Sequence, residues 1–399
     1  MTTRRKFIKN TTIGTGAFAL GLTGASQNLF ANEKVTGKRI TTVTGDILPE
    51  ALGYTTMHEH TICDMHLLSA PLKKYMTAIP PEMLTLKPEN MTFLRSGSSI
   101  FSEECSTKDD VEYMVAEFNA FKKNGGKAVC DASPIGLRGD ANKLKKASEM
   151  AGVHLICATG LYTSIQRPTE YLGISEKENS TIFEREINEG IDGTDVKPGF
   201  LKCAIATLTP SNTIEESEIA TVKACAKIAA RNGMSVHVHT STPLTGDHII
   251  NVASMMINEC GLLPDRLLMM HMDSFIREPK NITDYISDFE SVKTVNTDCQ
   301  EKLLDKGINI GFDSWTALVS ILPDDNDRLK ALVHLLKKGY GSQIVLGHDI
   351  TDKARGETYG YYGFSGFTKV AIPILRQLKF GNDVIAKLTV ENPARILAY

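Results

Sequence analysis

From about residue 36 the chain alternates between two periodicities. Short apolar runs, in which side chains would alternate between two faces, are each followed by a longer stretch with apolar residues three and four apart. The runs are GYTTMHEH (53–60), GKAVCDAS (126–133), GVHLICATG (152–160), GFLKCAIA (199–206), MSVHVHTS (234–241), RLLMMHMD (266–273), GINIGFDS (307–314) and QIVLGHDI (343–350). Amphipathic stretches such as DDVEYMVAEFNAFKKNG, EESEIATVKACAKIAARNG and DNDRLKALVHLLKKGYG separate them, and FTKVAIPILRQLK and NDVIAKLTVENPARIL close the chain. Eight β-then-α units in roughly 350 residues predict an α/β fold, a TIM (β/α)8 barrel over residues 36–399. No Gly-rich phosphate-binding turn follows the first run, which argues against an open dinucleotide-binding sheet. KRITTVTGDILPEALG reads as a hairpin capping the barrel floor. Residues 66–108, rich in Pro, Ser and Met, form an irregular insertion after the first strand, and in a barrel it would lie over the C-terminal mouth as a lid.

The N-terminus follows a different pattern. MTTRRKFIKN is basic, and TTIGTGAFALGLTGA after it is too short and too polar to span a bilayer. Thr3 to Lys9, with Arg4 and Arg5, resembles a twin-arginine export signal, so residues 1–31 are expected to be a signal peptide with cleavage after Ala25 or Ala31. The expected location is the periplasm or another exported compartment. No later run is apolar enough to cross a membrane, and no cysteine sits near the cleavage region to carry a lipid, so no membrane anchor is expected.

Composition adds three constraints. At 399 residues and 42% hydrophobic the chain can bury a large single core. A net charge of −3 gives no basis for nucleic acid or an anionic membrane as partner, which leaves a small-molecule substrate. The eight cysteines include no C-x-x-C pair, and Cys130, Cys157 and Cys203 lie inside apolar runs, so they read as small core residues rather than a disulfide framework.

Candidate chemistry gathers at the strand ends. His58 and His60 are two apart, and on a strand that spacing points both imidazoles to one face. Lys202 lies in the fourth run, His239 ends the fifth, His271 the sixth and Asp349 the eighth, so all six belong near one rim. This set predicts a site for two divalent cations, with zinc expected. Burial in an apolar strand lowers the pKa of Lys202, and its neutral amine can take up CO2 to give an anionic carbamate able to bridge two ions. Asp349 and Lys202 are the candidate catalytic residues. Trp315 and Arg355 are candidate substrate contacts, Trp315 as an apolar wall, and Tyr359 and Tyr362 follow the same loop as Arg355. His237 reads as a deeper core residue, His348 as structural and His66 as a surface residue. Asp313 has no assigned role.

HEH after LGYTT, GFLKCA, HVHTS, MMHMDS and LGHDI, in that order, resemble the phosphotriesterase family of the amidohydrolase superfamily, and the likeness runs from residue 38 to 399. The resemblance implies that His58, His60 and Asp349 hold one metal and His239 and His271 the other. It also implies that carbamylated Lys202 and a hydroxide bridge them, the hydroxide attacking the substrate while Asp349 shuttles a proton. Tyr162 matches a tyrosine of the phosphotriesterase-like lactonases, which makes it a candidate substrate contact. Those lactonases carry an arginine in a GLDR context where this chain reads GFDSW, with Ser314 and Trp315. The tail from PDDNDRLKALV to TYGYYGFS looks closer to the phosphotriesterase-related branch, which includes amide and ester hydrolases and can use a glutamate where this chain has Lys202. The expected substrate is therefore a carboxylic ester, lactone or amide. The alternatives are a phosphotriester and, in another class, a non-catalytic metal-binding protein on the same fold. Family members are often dimers, which makes a homodimer the expected assembly.

Overall fold

A short antiparallel hairpin, β1 (Ile40–Thr42) and β2 (Gly45–Ile47), precedes the first barrel strand, β3 (Thr55–Glu59). The computed structural model describes residues 37–66, 68–69, 79–277, 295–318 and 322–399, so the expected export signal lies outside the described residues. A two-residue ribbon, β4 (Cys63–Asp64) against β5 (Thr107–Lys108), brackets the insertion. The remaining strands are β6 (Ala128–Asp131), β7 (His154–Gly160), β8 (Phe200–Ile205), β9 (Val236–Thr240), β10 (Leu267–Met269), β11 (Asn309–Phe312) and β12 (Ile344–Leu346). Among the described residues, β3 and β6 to β12 form one eight-stranded sheet in sequential order, every pair parallel. A helix follows each of the eight, from Val111–Lys123 after β3 to Gly366–Gln377 after β12. This is the expected β/α barrel.

Local chemistry starts the helices where the sequence pattern placed them. Asp110 caps Val111–Lys123 by accepting from the Glu112 and Tyr113 amides, and Ser175 with Glu178 forms a reciprocal capping box on Glu176–Glu189. The helices bury their apolar faces on the outside of the sheet. Inside, Met57, Cys130, Ile156, Ala158, Phe200, Leu268, Met270 and Val345 fill the barrel, and Ile40, Leu52, Ile396 and Leu397 plug its floor. The hairpin thus closes the bottom, as its alternation predicted. Among the described residues all eight cysteines are free thiols and all but Cys299 are buried. No helix among the described residues is long and apolar enough to cross a membrane.

Two local departures from a regular barrel shape the site. Thr56 pairs with Val129 and Glu59 with Asp131, so Met57 and His58 together oppose the single residue Cys130. This bulge turns Met57, His58 and His60 all inward and leaves Thr56 and Glu59 together on the outer face, their side chains 2.5 Å apart. The second departure is the seam between β12 and β3. Among the described residues no ladder joins them; the His348 and Asp349 amides both donate to the His58 carbonyl, at 3.3 and 3.0 Å. The Glu59 carboxylate supplies the rest, accepting from the His348 amide (3.0 Å), the His348 ring (2.6 Å) and the Ile350 amide (3.1 Å).

The described part of the insertion docks on the segment leaving β12. Arg95 donates to the carbonyls of Ala354 and Tyr359, and Ser99 to Asp352. At the seam, Gly347 has no room for a side chain: a Cβ there would sit 2.9 Å from the His58 backbone nitrogen, carbonyl oxygen and Cβ. Gly347→Ala is therefore expected to force β12 away from β3 and destabilise the fold by about 1–3 kcal/mol. Thermal unfolding checks this; an unchanged midpoint would show that the seam is slack.

Candidate metal centre

The two histidines of the HEH motif are held differently. His58 Nδ1 lies 2.9 Å from Asp313 Oδ2. Burial, reinforced by the charge of Lys202, pushes the pKa of His58 down to about 3, so the ring is neutral at pH 7. A carboxylate only accepts, which puts the single ring proton on Nδ1 and leaves Nε2 with a free lone pair. That Nε2 faces Asp349 Oδ1 at 3.5 Å and Lys202 Nζ at 3.3 Å. His60 leans on the Ser133 hydroxyl through Nδ1 (2.8 Å) and presents Nε2 to the same Asp349 oxygen at 3.1 Å. His58, His60 and Asp349 offer three donor atoms within 4.8 Å of one another, the ligand types a divalent ion takes.

Beside this trio lies a second group. His271 Nε2 is 2.9 Å from His239 Nδ1, and the ring of His271 lies 4.6 Å from that of His58. Asp313 reaches here too, accepting from the His271 amide at 2.8 Å and lying 3.1 Å from its Nδ1. One buried carboxylate thus orients imidazoles from β3 and from the end of β10, as carboxylates behind metal-bound histidines commonly do. Burial would lower the pKa of His271, but Asp313 more than offsets it and the net shift is upward; His239, which lacks a carboxylate partner, is pushed well down by burial and by His271. Lys202 is fully buried in β8, its Nζ 3.0 Å from Met270 Sδ. Burial lowers its pKa to about 8 against the pull of Asp313 and Asp349, so a usable fraction of the amine is uncharged near neutral pH.

Two of these residues sit in strained backbone. His271 has φ 58° and Asp349 φ 51°, the left-handed region that costs a non-glycine residue about 1–2 kcal/mol. Such positions persist only where neighbours fix them. For Asp349 the fixing is visible: Arg355 donates to its carbonyl at 2.7 Å and to that of His348 at 2.7 Å, while Glu59 holds the amides on either side. Burial would raise the pKa of Asp349, yet His58, His60 and His271 hold it well below the usual carboxylate range. Its side chain is 28% exposed, which makes it the open face of the cluster.

The structure therefore brings His58, His60, Lys202, His239, His271 and Asp349 to one end of the barrel. Tyr162 joins them, its hydroxyl 3.2 Å from His239 Nε2; burial raises its pKa, so it remains a hydrogen-bond donor. A cavity of about 330 Å³ opens over the cluster, lined in part by His239, His271, Asp349, Ser314, Leu322 and Arg355. Trp315 is not in its wall. The expected apolar contact is instead fully buried, edge-on to Phe367 with ring centroids 5.2 Å apart, and a small residue, Ser314, faces the cavity. Tyr359 and Tyr362 also lie off the cavity wall, Tyr359 beside Tyr113 and Tyr362 against Tyr361. His237 stacks on Phe200 and His348 accepts from the Phe367 amide, both inside the fold as expected. His66 is half-buried rather than a free surface residue.

Sequence reasoning missed Asp313 and Glu59. Asp313 had a readable signal, since an acid ending the seventh run belongs at the same rim as the histidines and could accept from their second nitrogens. Glu59 had none, because its partners across the seam, His348 and Ile350, lie about 290 residues away.

The sequence profile described as the phosphotriesterase family matches residues 38–397. N-acetyltaurine hydrolases of Pongo abelii and Homo sapiens are each 26% identical to the chain over 364 residues, covering 90% of it and 98% of their own length. Among solved structures, a resiniferatoxin-binding protein from Rhodobacter sphaeroides superposes with TM-score 0.73 at 24% identity, covering 90% of this chain and 94% of its own. A lactonase from Listeria monocytogenes gives 0.68 at 19% identity, with 90% and 98% coverage. These likenesses establish the shared barrel.

Asp313→Asn keeps the shape behind His58 and His271 but removes the charge that fixes their tautomers. It is expected to weaken divalent-metal retention about 10–100-fold. Metal per chain after graded chelator dialysis checks this, and retention equal to the parent protein would deny Asp313 that role.

Proposed function

The chain belongs to the phosphotriesterase family of hydrolases, and we propose that it cleaves the amide bond of a small N-acyl compound bearing an anionic group. In this reading His58, His60 and Asp349 hold one divalent cation, zinc by expectation, and His239 and His271 hold a second. Lys202, once carbamylated by CO2, would supply an anionic oxygen ligand to them, as its lowered pKa allows. The donor set suits such ions: the His58 tautomer leaves Nε2 free, and the nitrogens of His239 and His271 converge with no carboxylate between them. When bound, the cations supply Lewis-acid polarisation of the scissile carbonyl and a water acidic enough to attack near neutral pH.

The observation that carries the substrate class is the cavity. Its volume of about 330 Å³ fits a small molecule, and Arg355 lies in its wall. The Arg355 guanidinium hydrogen-bonds the carbonyls of Asp349, Trp315 and His348, and among the described residues no carboxylate pairs with it. Carbonyl dipoles do not neutralise its charge, so it can attract an anionic end of the substrate. The relatives named N-acetyltaurine hydrolase support an amide of this kind.

The chain's own groups would then divide the work. The Tyr162 hydroxyl can donate to the acyl oxygen as negative charge develops there. Asp349, ionised and partly open, accepts the proton of the attacking water and passes it to the departing amine. Addition of water at the acyl carbon and loss of the C–N bond yield a carboxylic acid and an amine. We further propose that residues 1–31 direct export; the N-terminal residue of protein recovered from expressing cells tests that.

The first assay sets N-acetyltaurine, an N-acetyl amino acid, neutral N-methylacetamide, an aryl acetate, a γ-lactone and a phosphotriester side by side, with metals counted on the same sample. Two metals per chain and a preference for the anionic amides, lost on chelation, are expected. Arg355→Met should lower the ratio of anionic to neutral amide turnover about 10-fold or more, the worth of one charge-assisted hydrogen bond. Phosphotriester turnover far ahead of every carboxylic substrate would overturn the substrate class. Two bound metals with no turnover of anything would favour the non-catalytic reading.

A further inference from the structure

Lys108 is 1% exposed. It stands at the end of the insertion, in β5, opposite Cys63. Its ammonium donates to the carbonyl of His60 at 2.6 Å and to the carbonyl of Ile350. Among the described residues no carboxylate forms an ion pair with it. Burying an ammonium against carbonyl dipoles alone is costly relative to an apolar side chain of the same length, and a two-residue ribbon does not need a charge to close.

The positions of the two carbonyls explain what the charge achieves. One belongs to His60, which presents Nε2 to Asp349; the other belongs to the residue after Asp349. They come from the ends of β3 and β12, across the seam where the His348 and Asp349 amides share the His58 carbonyl. A single rigidly buried donor shared between them fixes the distance from His60 to Asp349. It also ties the exit of the insertion to both. The backbone of Asp349 is strained at φ 51°, so without such a tether the loop would relax toward commoner dihedrals.

We propose that Lys108 is a positioning residue of the metal centre: by holding the His60 and Ile350 carbonyls it keeps His60 and Asp349 at metal-binding separation and couples the insertion to that geometry. This rests on the two-metal reading above, and the experiment separates the two. Wild type, Lys108→Met and a control, Glu218→Gln, are loaded with Co2+; cobalt retention, the visible cobalt spectrum and the unfolding midpoint of the metal-free protein are measured. Glu218 is fully buried and accepts from the Ser164, Ala206 and Thr207 amides, so its loss destabilises loops after β7 and β8 without touching His60 or Asp349.

The expected result is that K108M releases one of its two cobalt ions at about 10–100-fold lower chelator concentration, with an altered spectrum. E218Q, though less stable, should keep wild-type retention and spectrum. Wild-type retention and spectrum in K108M would overturn the proposal, as would equal loss of cobalt in E218Q. A wild-type chain that binds no cobalt, zinc or manganese would overturn the metal reading itself and the role of Lys108 with it. Should K108M fail to fold, Lys108→Gln keeps an uncharged donor in the same channel, and its cobalt retention decides the question in the same way.

Discussion

Closure of β12 onto β3 is the constraint on which the rest depends. A parallel barrel normally closes by a ladder, but here the last and first strands share one carbonyl acceptor, that of His58. The Glu59 carboxylate makes up the difference with four donors: the Thr56 hydroxyl, the His348 ring and the amides of His348 and Ile350. Desolvating a carboxylate costs several kcal/mol, and hydrogen bonds to a charged acceptor contribute about 1.5–3 kcal/mol each. Four of them offset the burial. A ladder between regular strands would be simpler, yet it would forbid the bulge that turns His58 and His60 inward together with Met57. The seam accepts a side chain in place of backbone pairing because the site needs irregular backbone there.

The same logic recurs around the rim. Each histidine of the proposed metal centre is held by a group behind or beside it: Asp313 for His58 and His271, Ser133 for His60, the Tyr162 hydroxyl for His239. Asp349 is held through its neighbours, with Glu59 on the flanking amides and Arg355 on its own carbonyl. Donors and acceptors alternate, so the low-dielectric interior that makes an unpaired group costly also makes this set mutually supporting. Strained dihedrals at His271 and Asp349 survive because the surroundings over-determine them.

Much of this was legible in the sequence, and what was not has a common cause. Strand and helix positions follow from local periodicity, which is why all eight strands fall inside the runs read from the chain. The rim residues follow from one more step, since a residue ending a barrel strand must lie near the mouth. Glu59 was invisible because its meaning depends on a partner at the other end of the chain. Trp315 was misplaced for a related reason: a large apolar side chain beside a strand end fits a pocket wall or a core equally well by pattern. Only the packing of Phe367, brought in by the helix after β12, decides that it turns inward. The bulge at Met57 and His58 has no glycine to announce it.

The two halves of the mouth are anchored by different means, and that bears on substrate choice. The β3–β12 half is fixed by the seam. The half after β10 and β11 is fixed from behind by Arg328, fully buried, with its Nε 3.1 Å from Asp273. Asp273 in turn accepts from the Ser314 amide at 2.9 Å and its hydroxyl at 3.2 Å. The small Ser314 is therefore clamped at the cavity wall, and no long side chain enters the mouth at that position. A positive charge is presented to the cavity from the β12 side, by Arg355, rather than from the β11 side where the lactonases carry arginine. An anionic group drawn to Arg355 would lie on the Asp349 side of the cluster, which leaves the His239 and Tyr162 side for the acyl oxygen. The proposal of an anionic amide rests on that placement of the cation, because the fold is shared and specificity follows from which wall carries the charge.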